Sequence, residues 1–379
     1  MNISPATLLH TAQQHTSLMV ETLKQLVGLE SPSTDPASLD RIAQFVAEWL
    51  RQRNIAVEQI PVRGSGPIVR ARVGAGQRPV MLLGHLDTVW PVGTLEQRPV
   101  RIEQGRLYGP GAFDMKGGVT VALYALHLLQ ALQLVPPRGA VLLLTPLEEV
   151  GSDSYRDLLE DEARRSQCVL VLEPPMPGGA AKTSRKGVGR LLMRIRGRAA
   201  HSGLAPEAGV SAIHELAHQI LALEQLNNVR PGVTINVGVV RGGLRANVVA
   251  DEAEAQIDVR FDSLVDGQEV ISKIFQRTPV LAGAQLEFSG GIAAPPLVRT
   301  ERVVALYQHA RTLAEELGFQ LPEAAAGGAS EGCYTAAVGT PTLDGLGPDG
   351  NGAHAVDEHV LIASLPQRVA LLVRMLLTL

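Results

Sequence analysis

The segment Gly84-His85-Leu86-Asp87-Thr88 directly follows the apolar run Val80-Met81-Leu82-Leu83, which Pro79 opens and Gly84 closes. Such a run reads as a buried strand. Side chains two apart on a strand face the same way, so His85 and Asp87 leave its end together. An imidazole beside a carboxylate suits a metal ligand whose tautomer is fixed from behind. It suits equally a core histidine bonded to a local aspartate. Other candidates occupy comparable junctions. Asp114 lies in the glycine-rich connection 109–118 ahead of a helical pattern, Glu148 and Glu149 close the apolar run 141–147, Glu173 closes 169–172, and His354 lies in the loop 350–354. In open α/β sheets the carboxyl ends of the strands converge on the ligand crevice. One polar strand end means little, because every buried strand must end on something. Four junctions bearing His or carboxylate point to a site.

Two histidines and three carboxylates could give each of two divalent cations one His, one terminal carboxylate and one shared carboxylate. Cations roughly 3.5–4 Å apart polarise a carbonyl and generate hydroxide at neutral pH. The adjacent Glu148 and Glu149 can divide the labour, one binding metal and the other moving protons as general base. Mixed nitrogen and oxygen ligation suits zinc, and also cobalt or manganese.

The elements that must hold these residues alternate. Ser38 is placed to cap a helix over 39–53, with Ile42, Phe45, Val46, Trp49 and Leu50 as its apolar stripe. Strands are expected near 56–60, 68–73, 80–84, 141–147 and 169–172, and helices near 119–132 and 154–164. This is α/β patterning with strands covered on both faces. Pro174-Pro175-Met176-Pro177-Gly178-Gly179 and Ala293-Ala294-Pro295-Pro296 read as linkers. Between them the order is a strand (189–197), a helix (210–226), two strands (234–240 and 247–261), a helix (265–277) and a strand (285–289). That is the split βαβ, ferredoxin-like order. The chain is therefore expected to be an α/β domain, 1–181 and 295–379, interrupted by an inserted α+β domain, 182–294. Helices near 301–317 and 358–377 close the first domain.

Bulk properties narrow the class. The chain has 379 residues with 45% hydrophobic and 19% charged, as an ordinary globular protein does, and its net charge of −4 argues against nucleic acid as a partner. Residues 1–30 lack the pattern of a secretion signal, and no apolar run approaches the length of a transmembrane helix. The two cysteines, Cys168 and Cys333, make no disulfide framework, and Cys168 falls in an apolar run as a small hydrophobe. A cytoplasmic protein with no membrane association is expected.

Three motifs, Gly84-His85-Leu86-Asp87-Thr88-Val89, Gly111-Ala112-Phe113-Asp114-Met115-Lys116-Gly117-Gly118 and Glu148-Glu149-Val150-Gly151, resemble those of the co-catalytic zinc aminoacylase and carboxypeptidase family. That family includes glutamate carboxypeptidase, acetylornithine deacetylase and succinyl-diaminopimelate desuccinylase. The resemblance implies that His85, Asp114 and Glu173 hold one zinc, that Asp114 bridges, and that Glu149 and His354 complete the second. It implies further that Asp87 orients His85 and that Glu148 is the catalytic base. Ala199-Ala200-His201-Ser202-Gly203 resembles the family loop whose histidine stabilises the oxyanion, in relatives at the partner subunit's active site. Asn247 and Arg260 match positions that hold the substrate carboxylate; read alone they would be a turn residue and an exposed strand arginine.

The resemblance also implies that the inserted domain is a lid and homodimerisation module and that the substrate is a small N-acyl amino acid or short peptide. The expected reaction is removal of a C-terminal amino acid, with glutamate a candidate, by metal-hydroxide attack. N-acyl amino acid deacylation is the alternative. There are departures from the family pattern. Glu331 stands in 327–332 where relatives commonly carry Asp, and 293–296 lacks an arginine that some relatives have.

His214-Glu215-Leu216-Ala217-His218 is a literal H-E-x-x-H, the mark of single-zinc proteases. On a helical wheel Ile213, Leu216, Ala217 and Ile220 form the buried stripe, leaving His214, Glu215 and His218 on a solvated face. With no third ligand suggested by spacing, this motif is read as coincidence.

Overall fold

A computed structural model describes residues 3–227 and 230–379, and the chain divides into two compact units. The first comprises the chain up to Ser184 with Arg299–Ala325 and Tyr334–Leu379; the second comprises Arg185–Val298 with Ala326–Cys333. The proline-rich segment 174–179 is not a boundary. Met176 and Ala180 close it as a tight turn, and the Gly179 carbonyl accepts from the buried Arg368 within the first unit. The strand Gln285–Ala294 likewise runs on into the stretch expected to be the second linker.

The first unit is built on a six-stranded sheet in the order Ala56–Ile60, Ile68–Val73, Ala140–Thr145, Val80–His85, Cys168–Val171, Thr342–Leu343. The last four run parallel, and the first two pairings are antiparallel. Every residue of Val80–His85, Ala140–Thr145 and Cys168–Val171 is buried, which explains their unbroken apolar sequence: helices cover both faces. The helix Gly117–Ala131 is apolar almost all round and buries twelve of its fifteen residues. Its Gly118 is required by close approach, since a Cβ there would fall 2.0 Å from the Leu172 carbonyl oxygen. That contact sets the start of this helix against the strand end that carries Glu173.

Three local expectations are corrected. Asp35, not Ser38, caps the helix Pro36–Arg51; Ser38 lies in its first turn and donates to the Asp35 carboxylate. The strand expected over 141–147 ends at Thr145, so Glu148 and Glu149 belong to the turn that follows. Glu358 does not open the closing helix. It precedes the short strand His359–Leu361, and the helix is Ser364–Thr378.

The second unit is a four-stranded antiparallel sheet in the order Thr234–Gly242, Glu252–Phe261, Gly187–Arg196, Gln285–Ala294. Helices Ala212–Glu224 and Leu264–Phe275 complete the split βαβ order. Met193, Ile195, Leu216, Leu223, Ile257, Val259, Phe261 and Ile274 form its core. Burial alternates along Gly187–Arg196 and Glu252–Phe261, as one covered sheet face requires. The strand expected over 247–261 starts only at Glu252.

Candidate metal centre

At the end of Val80–His85, the His85 imidazole is buried and its two nitrogens face opposite ways. Nδ1 lies 3.0 Å from the Asp87 main-chain oxygen and 3.3 Å from Asp87 Oδ1. Nε2 faces Asp114 Oδ1 at 3.2 Å and Glu173 Oε1 at 3.5 Å. A proton on Nδ1 is thereby fixed by Asp87, and Nε2 is turned to the carboxylates. Asp87 does more. Its Oδ1 accepts from the Glu148 backbone N–H at 3.1 Å, and its Oδ2 accepts from the Glu149 N–H at 3.1 Å and from Ser33 Oγ at 2.7 Å. One buried carboxylate therefore orients the imidazole and pins the turn bearing both glutamates.

The other half of the site faces His354. Its Nε2 lies 3.0 Å from Glu149 Oε1 and 3.4 Å from Asp114 Oδ2. Asp114 thus offers one oxygen to each imidazole. His354 holds φ of 61°, a left-handed conformation uncommon outside glycine, in the tight loop after Gly352. Ligand atoms of His85, Asp114 and Glu149 lie within 4.8 Å of one another, as do those of His85, Glu148 and Glu173. The structure brings His85, Asp87, Asp114, Glu148, Glu149, Glu173 and His354 together in the first unit.

The electrostatics show what this cluster accommodates. Burial opposes protonation of His85, yet hydrogen bonds to Asp114, Asp87 and Glu173 hold its pKa well above the ordinary value. Hydrogen bonds to Asp114 and Glu149 raise His354 to about 10. Burial pushes Asp114 up, but His354 and His85 outweigh it and its pKa is lowered. For Glu149 burial dominates and its pKa is raised. A carboxylate field that attracts protons this strongly favours divalent cations too, and imidazole nitrogen with carboxylate oxygen is the donor set of zinc, cobalt or manganese. The residues fit a metal pair.

The remaining candidates belong to the second unit. His201 is exposed, and its Nδ1 accepts from the Gly203 and Leu204 N–H groups at 3.1 and 3.2 Å. With Nδ1 accepting, the neutral ring carries its proton on Nε2, which is left as the donor. Asn247 is an exposed turn residue whose carbonyl accepts from Ser202 N, so the two loops are paired. Arg260 is half-buried on its strand. Nε and Nη2 grip Asp258 at 2.7 and 3.0 Å, and Nη1 reaches the Gly327 carbonyl at 3.4 Å. Arg185 donates to the next two carbonyls of that loop, Gly328 and Ala329, and Glu331 is buried there.

The H-E-x-x-H helix departs from its expected orientation. Glu215 is fully buried, whereas Ile213 is exposed. The Glu215 carboxylate accepts from Val280 N, Leu281 N and Gln219 Nε2, pinning the turn after Leu264–Phe275. His214 and His218 stack on each other with centroids 4.9 Å apart. The glutamate is structural, because a buried carboxylate is stable where N–H donors surround it.

Several residues at the metal centre were not singled out by sequence: Ser33, Trp90, Lys116 and Glu358. Lys116 is buried, and burial lowers its pKa to about 7 against the pull of Glu358 and Glu30. Its charge in the middle of the Asp114 motif was the available signal.

The profile of the family described as peptidase family M20/M25/M40 matches residues 81–378. The chain is 27% identical to carboxypeptidase G2 of Pseudomonas sp. (strain RS-16), across 98% of this chain and 92% of that protein. It is 31% identical to succinyl-diaminopimelate desuccinylase of Verminephrobacter eiseniae, across 76% and 75%. Its fold resembles the solved aminopeptidase PepT of Bacillus cereus with a TM-score of 0.82, at 22% identity over 95% and 98% of the two chains.

Proposed function

Because this chain belongs to peptidase family M20/M25/M40, a family of metal-dependent hydrolases, we propose that it is a two-zinc amidohydrolase that removes a C-terminal amino acid, glutamate being the first candidate, from N-acyl or peptidyl substrates. The observation that carries this reading is Asp114, which presents one carboxylate oxygen to each of two imidazoles. His85 and Glu173 would hold one ion and Glu149 and His354 the other, with Asp114 shared. When bound, such a pair polarises the scissile carbonyl and lowers the pKa of water.

The chain's own residues do the rest. Glu148 takes the proton of the attacking water and delivers it to the leaving amine. Asp87 keeps His85 and the Glu148-Glu149 turn in register with each other. His201, with its proton on Nε2, donates to the developing oxyanion, at the partner subunit's site in a homodimer. Asn247 and Arg260 receive the substrate's free carboxylate, for which the guanidinium fork is suited. Arg260 then exchanges part of its bond to Asp258 for the ligand. The same residues serve N-acyl amino acid deacylation, in which the acyl part varies and the carboxylate stays; the desuccinylase likeness favours keeping that second reading.

Folate-type and peptidyl glutamates tested against N-acetyl and N-succinyl amino acids, with zinc or cobalt added, decide between the two. A kcat/KM at least tenfold higher for the C-terminal glutamates supports the carboxypeptidase. The reverse preference supports the deacylase, and no hydrolysis of either class overturns both. A cytoplasmic, membrane-free location belongs to this reading; among the described residues no helix is long and apolar enough to cross a membrane.

A further inference from the structure

Glu358 is a buried carboxylate, 2% exposed, to which neither the metal-ligand set nor the chemistry gives a part. Its Oε2 accepts from Gly111 N at 2.8 Å and from Trp90 Nε1 at 2.9 Å. Its Oε1 accepts from Phe113 N and Asp114 N, both at 3.0 Å. All four partners are donors, and only an ionised carboxylate offers acceptors on both oxygens and no hydrogen of its own. The three backbone N–H groups converge because Gly111 takes φ of 72° and turns the chain into an anion-binding concavity. The main chain of Glu358 is tied down as well: its carbonyl accepts from Gly109 N at 3.2 Å, and its N–H donates to Ala355 O at 3.3 Å.

Three segments of the candidate metal centre therefore meet at one side chain. Glu358 stands four residues past His354. It holds the turn that carries Asp114, and through Trp90 it holds the segment that follows His85–Thr88. We propose that Glu358 is the positioning residue that sets Asp114 between the two imidazoles, so that each carboxylate oxygen meets its own histidine. Buried groups that orient metal ligands typically matter 10–100-fold in metal affinity. This inference rests on the proposed ligand roles of Asp114 and His354.

Glu358→Gln keeps the shape but turns an NH2 group toward N–H donors. Zinc titrated into metal-free enzyme by calorimetry should bind the variant about 10–100-fold more weakly at one of its two sites. kcat at saturating metal should fall with KM within twofold of the parent. Two zinc ions per chain at parental affinity in Glu358→Gln would overturn the proposal, even with a lowered Tm, since that pattern describes a purely structural carboxylate. Should Glu358→Gln not fold, Trp90→Phe removes one donor of the four and leaves the carboxylate; a weakening of about threefold is then expected, and unchanged affinity counts against the proposal. Asp114→Asn separates the two claims. If it still binds two zinc ions at parental affinity, the ligand reading fails; if it loses zinc while Glu358→Gln does not, only the positioning role fails.

Discussion

At the scale of single residues, the site is legible where a strand ends and illegible where a polar group is buried by something distant in sequence. His85, Asp114, Glu149, Glu173 and His354 stand out because a buried strand or a glycine-rich loop releases each one. Glu358 reads as an ordinary charged residue at a helix start, and only the fold reveals four donors around it. Glu215 misleads for the same reason: it is polar by type and buried by contact. Two outcomes belong to this scale. Glu148→Gln should lower turnover by about 10²–10⁴-fold, the usual worth of a general base, with metal content unchanged by elemental analysis. Near-normal turnover in the metal-loaded variant would remove Glu148 from the mechanism. The second outcome is a pH dependence. His354 has its pKa raised from 6.5 to about 10, so from neutral pH up to about 10 a metal must displace its proton. Zinc affinity should therefore rise with pH across that window, and calorimetry in buffers of different ionisation enthalpy should detect protons released on binding.

At the scale of elements, periodicity located the buried strands well because helices on both faces leave no polar alternation to confuse their bounds. It overran where the residues that leave a strand are themselves apolar, as Pro146 and Leu147 after Thr145, and where a loop pairs like a strand, as at 247–251. Helix orientation was harder. The wheel for Ala212–Glu224 weighs side chains by type, and so it turned Ile213 inward and Glu215 outward, the opposite of what packing requires. Replacing His214 and His218 with Ala should leave hydrolysis and Tm close to the parent. Glu215→Ala should cost about 1–3 kcal/mol in denaturant unfolding, because the Val280 and Leu281 N–H groups lose a buried acceptor. Loss of hydrolysis in the double His variant with the fold intact would restore the motif to the mechanism.

At the scale of the whole molecule, the inserted unit is legible as an order of elements, and its use is not. The strand Thr234–Gly242 lies at the edge of its sheet and exposes Val239 and Val240, with the Asn227 side chain bonded to its Ile235 main chain, while the helix Ala212–Glu224 exposes Leu221. An exposed edge invites pairing with a second copy. Light scattering should therefore report about twice the 40.3 kDa chain mass, and a mass of one chain at micromolar concentration would remove His201 from a partner's site. On the proposed mechanism, hydrolysis requires the ions that His85, Asp114, Glu149, Glu173 and His354 would hold. The most direct test strips the protein with chelator, assays N-acyl and peptidyl glutamates, and repeats the assay as zinc is returned. The mechanism predicts activity lost on stripping and regained in proportion to zinc, saturating at two ions per chain. Full hydrolysis by the stripped protein would contradict it.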